Sequence, residues 1–400
     1  MASCQFNLLF GVYLSLLVLF CDVCFCDESG TCLGDFELCT CHKEKVECHG
    51  EKKLNGSDII NLYHDIDDNC QNITITGSHF GELQKNFLGS CANAPELVLK
   101  NLTYLELSNC GIKTVHGKSF HCIPHLQTLI LRDNQWQIDL DDEQIGYFTS
   151  MPEMLHLDLT NAFEDGEDGS THFYKLAHIF KETDMTMLEQ LELSHNEFIV
   201  LSRESANSMC QLTRLKFLNL SHNYFTEPAM PTEKNCFQHL EVLDLSHNDI
   251  DMLSPEFMTE VDYVYKSYNN LQHVYLNNNP FKCDCGLIDT WTWLSKTSSP
   301  VDKDAMLCST DSFHSSYAGK AIISLTLDDL QCQQVQPQSN TAVRVVTGII
   351  FTVIGITVVA FAIVHREKLR LCVKRLSKRV PNFHFRTHQG YATVQEVATV

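Results

Sequence analysis

Positive charge is scarce in this chain: 29 Lys and Arg stand against 50 Asp and Glu in 400 residues. A surface with that balance repels phosphate, so nucleic acid is excluded from the expected partners. Catalytic signatures are missing as well. There is no Gly-rich phosphate loop, no H-E-x-x-H and no G-x-S-x-G nucleophile turn. The sequence is therefore read as non-enzymatic, with no catalytic residue, metal site or cofactor assigned.

The few positive charges are unevenly placed. From Asp27 to Thr341 there are 20 basic and 47 acidic residues, whereas His365 to Val400 hold 8 basic and 2 acidic ones. Between these regions, Val345 to Val364 is twenty residues without a charge, which at ~1.5 Å rise per residue spans a hydrocarbon core of ~30 Å. A buried globular helix is the alternative reading. Arg366, Lys368, Arg370, Lys374, Arg375, Lys378 and Arg379 follow at once, as at the cytoplasmic end of a membrane span. An earlier apolar run, Phe6 to Phe20, has the length of a signal-peptide core and leads into small residues around Cys24 and Cys26. The expected topology is single-pass type I in the plasma membrane, with a signal peptide at 1–26, a transmembrane helix at 345–364 and a cytoplasmic tail at 365–400. Removing the signal and tail cysteines from the nineteen in the chain leaves fourteen outside, an even number that an oxidised ectodomain can pair.

The middle of the chain repeats itself in the register L-x-x-L-x-L-x-x-N. Clear copies are Leu126-Leu129-Leu131-Asn134, Leu188-Leu191-Leu193-Asn196, Leu215-Leu218-Leu220-Asn223, Leu240-Leu243-Leu245-Asn248 and Leu271-Val274-Leu276-Asn279. Leu102-Leu105-Leu107-Cys110 puts Cys in the Asn place, and Met154-Leu157-Leu159-Ala162 and Cys70-Ile73-Ile75-Ser78 are weaker copies. About eight coils over 54–280 are expected. In each, x-L-x-L forms a short strand with leucines inward, and the Asn turns the chain while bonding neighbouring backbones. A single coil cannot bury its apolar face. Stacked coils make an α/β solenoid, a leucine-rich-repeat horseshoe with a parallel concave sheet and Phe120 and Phe237 packing the opposite side. Two intervals are swollen. The stretch Glu164-Asp165-Gly166-Glu167-Asp168-Gly169 before Leu188 is expected as a surface loop, and the interval from Leu240 to Leu271 gathers Tyr263, Tyr265 and Tyr268; such insertions often serve binding.

A solenoid exposes an apolar end at each terminus unless something covers it, and cysteine clusters flank this one at 27–53 and 281–333. They read Cys32-x6-Cys39-x-Cys41-x6-Cys48 and Cys283-x-Cys285-x22-Cys308-x23-Cys332. Both resemble the caps of extracellular leucine-rich-repeat proteins, and that resemblance implies the pairs Cys32–Cys41, Cys39–Cys48, Cys283–Cys308 and Cys285–Cys332. Zinc is the competing reading; an exported chain without a His-Cys set at zinc-finger spacing argues for disulfides.

The whole layout is similar to that of the trophoblast-glycoprotein family of leucine-rich-repeat membrane proteins. The residues that carry the likeness are Cys283-Asp284-Cys285, Trp293-Leu294, Val301, Lys303-Asp304, Leu307-Cys308, Leu325 and Asp329-Leu330-Gln331-Cys332, followed by a linker at 334–344, one span and a short tail. The resemblance implies a cell-surface modulator that inhibits the beta-catenin branch of Wnt signalling by engaging a Wnt receptor component, with links to adhesion and migration. The expected partner is an extracellular or cell-surface protein, and an adhesion or ligand-recognition receptor is the alternative function. At the carboxyl end Ala398 stands where a PDZ-binding signal wants Ser or Thr, which argues against docking through Val400.

Smaller signals complete the reading. Sequons place N-glycans at Asn55, Asn72, Asn101 and Asn219, the last between inward Leu218 and Leu220 and so on the concave strand. Cys210 and Cys236 fall at nearly equal places on adjacent coils and are either a bridge or two thiols. Cys110 is read as a buried thiol, while Cys70, Cys91 and Cys122 are thiols or further bridges. His195, His222 and His247 each precede a ladder Asn in Ser-His-Asn and are read as solvated loop residues rather than metal ligands. In the tail, Tyr391-Ala392-Thr393-Val394 fits an endocytic signal read at Tyr391 and Val394, and Cys372 is a palmitoylation candidate.

Overall fold

The structure, a computed structural model, describes residues 39–42, 44–49, 69–88, 99–139, 146–165, 169–181, 183–310, 315–330, 341–368 and 370–371. Among the described residues twelve strands occur in this order: β1 (Cys39–His42), β2 (Lys45–His49), β3 (Asn72–Thr76), β4 (Gly81–Leu83), β5 (Tyr104–Ser108), β6 (Ile112–Val115), β7 (Thr128–Ile130), β8 (His156–Asp158), β9 (Gln190–Glu192), β10 (Phe217–Asn219), β11 (Val242–Asp244) and β12 (His273–Tyr275). Period two decides what each strand buries. Along β5, Leu105 and Leu107 are buried while Tyr104 and Glu106 face outward and are half-buried. Because every coil repeats that alternation, the strands stack in register into one ten-stranded sheet, β1-β2-β3-β5-β7-β8-β9-β10-β11-β12. β1 is antiparallel to β2, and β2 to β12 are parallel neighbours.

The Asn of each repeat makes the turn affordable for the backbone. Asn223 accepts the amides of Asn196 and Phe198 at 3.0 and 3.1 Å, and its Nδ2 donates to the carbonyls of Leu193, Leu220 and Ser221. Asn134, Asn248 and Asn279 act in the same way, accepting from Ile112, Phe225 and Ile250 of the preceding coil. All are buried, where an unpaired amide costs about 1–3 kcal/mol. Cys110 keeps part of the role: its Sγ lies 3.4 Å from the carbonyls of Ile75 and Ser108, and burial pushes the thiol up to about 12.

Behind the turns runs an aromatic column. Trp136 stacks on Phe163 at 5.5 Å, and Phe163, Phe198 and Phe225 follow at 5.7 and 6.3 Å. Phe120 and Phe237 are both buried. The swollen interval before Leu188 departs from the expected surface loop. Residues 166–168 lie outside the described ones, but Gly169–Lys181 forms helix α1. Phe173, Leu176, Ala177 and Phe180 recur at helical spacing and are buried, with Phe173 at 5.0 Å from Phe198 and 5.6 Å from Phe225. That apolar stripe covers the aromatic column and explains why the insertion is helical. A short helix α2 (Arg203–Ser208) is capped by Ser202. The second swollen interval holds helix α3 (Pro255–Tyr268), started by Ser254 and Pro255 and ended by left-handed Asn269, with Phe257, Met258, Val261 and Val264 buried. Of its tyrosines, Tyr263 is exposed, whereas Tyr265 and Tyr268 pack on the core.

The last coil is covered by helix α4 (Ile288–Lys296) and the segment after it. The Asp302 carboxylate accepts the amides of Leu276 and Asn277, supplying what a further coil would supply. Trp291 Nε1 donates to the Leu325 carbonyl, and a Cys283–Cys308 disulfide with Cα atoms 5.5 Å apart ties the segment to the coil. Residues 1–332 form one compact unit and 333–400 a second. In the second unit, helix α5 (Thr341–Val364) is 24 residues long. Its side chains are described from Ile349 onward, and among the described residues no helix is long and apolar enough to cross a membrane.

Candidate functional site

The outward positions of the parallel strands form two rows across the sheet. One carries Tyr104, Thr128, His156, Gln190, Phe217, Val242 and His273; the next carries Glu106, Ile130, Asp158, Glu192, Asn219, Asp244 and Tyr275. The second row is rich in carboxylates. Asp158 has no exposed side-chain surface and is paired with Arg132, whose Nε donates to Oδ2 at 2.6 Å, while the Thr160 amide donates to Oδ1. Burial holds Glu192 above the usual carboxylate range, opposed by the Asn219 amide that donates to it at 2.7 Å. Burial also lowers His156. Burial together with a hydrogen bond to Glu106 lifts Tyr104 to about 12. The two rows can offer the Glu106, Glu192 and Asp244 carboxylates, the Tyr104 phenol and the Phe217 and Tyr275 faces to a partner chain on a rigid sheet. Sequence reasoning left these outward-facing residues unassigned, although the intervening places of x-L-x-L identify them.

A second constellation lines the edge where the chain leaves the strands. The residue before each ladder place adopts left-handed backbone, as at Asn109, Asp133, Asn161, His195, His222, His247 and Asn278. On three adjacent coils that residue is histidine, and the rings stack. Centroids are 4.2 Å apart for His195 and His222 and 4.1 Å for His222 and His247, each pair tilted by 11°. Asn278 Nδ2 meets His247 Nε2 at 2.9 Å at one end. At the other, a cleft of about 390 Å³ brings Asp133, Asp165, Glu197 and Tyr224 around His195 and His222. Burial, then the flanking imidazoles, hold His222 below its ordinary range, against the pull of Asp244. Among the described residues no group of three or more His, Cys, Asp or Glu converges as a metal ion would require. All three rings are exposed, and the sequence treated them one by one; the recurring Ser-His-Asn register was the signal that they meet.

Of the sequon asparagines, Asn72 lies on β3, Asn101 is exposed in the turn before β5, and Asn219 is on the sheet face with its Nδ2 engaged by Glu192. Asn55 lies outside the described residues, as do Cys372, Tyr391 and Val394. Disulfides join Cys39 to Cys48 and Cys210 to Cys236, with Cα atoms 4.2 and 4.8 Å apart. Cys41 and Cys122 are also disulfide-bonded; Cys32, Cys91 and Cys332 are outside the described residues.

Comparison with known proteins agrees with this architecture. A family model described as Leucine Rich Repeat matches residues 239–260. Trophoblast glycoprotein of Macaca fascicularis is 26% identical over 328 residues, covering 80% of this chain and 72% of that protein. This chain is similar to trophoblast glycoprotein. The Mus musculus protein is 32% identical over 170 residues, 42% of this chain and 37% of the relative. The crystal structure of the human protein, which also bears the name Wnt-activated inhibitory factor 1, superposes with a TM-score of 0.57 at 23% identity, covering 75% of this chain and all of that one. That superposition is a likeness of fold.

Proposed function

We propose that the chain is a single-span, type I cell-surface protein that binds an extracellular or cell-surface protein through its repeats and lowers Wnt/beta-catenin signalling, without enzymatic activity. The observation that carries the binding reading is the sheet face itself: Tyr104, Glu106, Phe217, Asp244 and Tyr275 stand in two continuous rows on a scaffold fixed by buried asparagines. The signalling reading rests on the likeness to a protein named as a Wnt-activated inhibitory factor. The membrane reading rests on the uncharged run from Val345 to Val364, of which Phe351, Ile356, Phe361 and Val364 are each more than half exposed, with Arg366, Lys368 and Arg370 after it.

The test is a beta-catenin reporter in Wnt-treated cells expressing the chain. Reporter output should fall, and truncation after Arg379 should leave the fall intact, with an epitope after Val400 invisible on unpermeabilised cells. An unchanged reporter at confirmed surface expression overturns the Wnt reading. Cell aggregation under those conditions would establish adhesion in its place.

A further inference from the structure

The stack of His195, His222 and His247 is a repeat-generated arrangement. Left-handed φ values of 59°, 54° and 54° at the same place in three adjacent turns aim three side chains alike, and the spacing of the coils sets the rings 4.2 and 4.1 Å apart. Neutral imidazoles stack favourably at such distances. Two adjacent imidazolium ions at the same distance repel, so protons enter the column one against another.

We propose that the His195–His222–His247 column is a pH-sensitive device built into the edge of the solenoid, stacked and neutral at the pH outside cells and charged and splayed in acidified compartments. Among the described residues, Asp133, Asp165, Glu197 and Tyr224 line the cleft beside His195 and His222, Asp244 acts on His222 from the strand row, and the neutral Asn278 amide closes the His247 end. Among those residues no Lys or Arg lines that cleft. The Asp244 carboxylate favours a proton on His222, and the stack itself disfavours a second on a neighbouring ring. The column therefore changes from neutral to cationic beside a cleft lined by carboxylates, and a partner seated over it meets a different surface after internalisation. The response belongs to the column and holds whether or not the partner is a Wnt receptor component.

Diethyl pyrocarbonate acylates only neutral imidazole, so its yield at each histidine, read by mass spectrometry on the full chain in detergent micelles between pH 5 and pH 8, reports protonation. The informative variant is His222→Asn. Asparagine already occupies this left-handed place at Asn109, Asn161 and Asn278, so the turn is preserved. Removing the central ring should change the pH dependence of acylation at both His195 and His247, because each then loses the neighbouring charge that opposes its own. Identical curves with and without His222 overturn the proposal. Should His222→Asn not reach the folded state, His247→Asn serves: the His222 curve must then shift, and an unshifted one is equally fatal.

Discussion

Two stretches of the solenoid solve one problem by different means. From Asn196 to Asn279 each turn is bridged by an amide side chain that accepts the backbone N–H two residues past the ladder place of the preceding coil: Phe198 to Asn223, Phe225 to Asn248 and Ile250 to Asn279. Where Cys110 and Ala162 replace asparagine, the same amides turn to backbone instead. Phe80 donates to the Cys110 carbonyl and Trp136 to the Ala162 carbonyl, both at 2.9 Å. In the first of these places the coils draw together far enough for β4 and β6 to pair as a small second sheet, with a bulge at Gly81 whose φ of +67° suits glycine. What the fold demands is that every buried backbone group find a partner; asparagine is one way of meeting the demand.

The largest effect should come from removing the amide where the backbone has no second sheet to fall back on. Asn223→Ala strands the Asn196 and Phe198 amides and the Leu193 carbonyl in the interior, while Leu220 keeps its bond from Asn248, which should cost about 4 kcal/mol. Cys110→Ala removes two weak thiol bonds and a small volume while the backbone pairing stays, and should cost about 1–2 kcal/mol. Urea unfolding of both variants tests the contrast, and equal losses would break it.

How much of this was legible follows the same line. The inward leucines and the ladder asparagines announce themselves, because burial and turn chemistry restrict residue type at each of those places. Helix α1 was hidden behind an acidic run that reads as loop, although Phe173, Leu176, Ala177 and Phe180 carried its period. The imidazole column and the carboxylate row were hidden for another reason: their members are more than twenty residues apart in sequence and become neighbours only through coil stacking.

The coil interface closed by Ala162 gains a different reinforcement on the sheet face, where Arg132 reaches across to Asp158 of the next coil. Arg132→Ala leaves a carboxylate with no exposed surface and only the Thr160 amide beside it. Truncating one partner of a buried pair is costly even when the pair itself is not; since Arg132 is itself half-exposed, the expected loss is about 2 kcal/mol, between the two ladder variants. A loss below that of Cys110→Ala would mean that the ion pair does not substitute for the missing asparagine.

The smallest effect has the opposite sign. Glu192 sits in the carboxylate row with its pKa raised, first by burial and then by the nearby charge of Asp158, and the raised value means that ionisation is harder in the folded chain than in the unfolded one. At neutral pH, where both states are ionised, the folded state therefore carries a penalty, and Glu192→Gln should lift it while keeping an acceptor for Asn219 Nδ2. The variant should melt slightly higher than the wild type at pH 7, on the order of 1 °C for a domain of this size. The gain should shrink as pH falls through the raised folded value and vanish below the unfolded carboxyl value, where both chains are neutral at this position. A variant that melts lower at pH 7 would show that Glu192 contributes through its bond to Asn219, and a gain that persists at pH 3 would show that the penalty does not come from its buried charge.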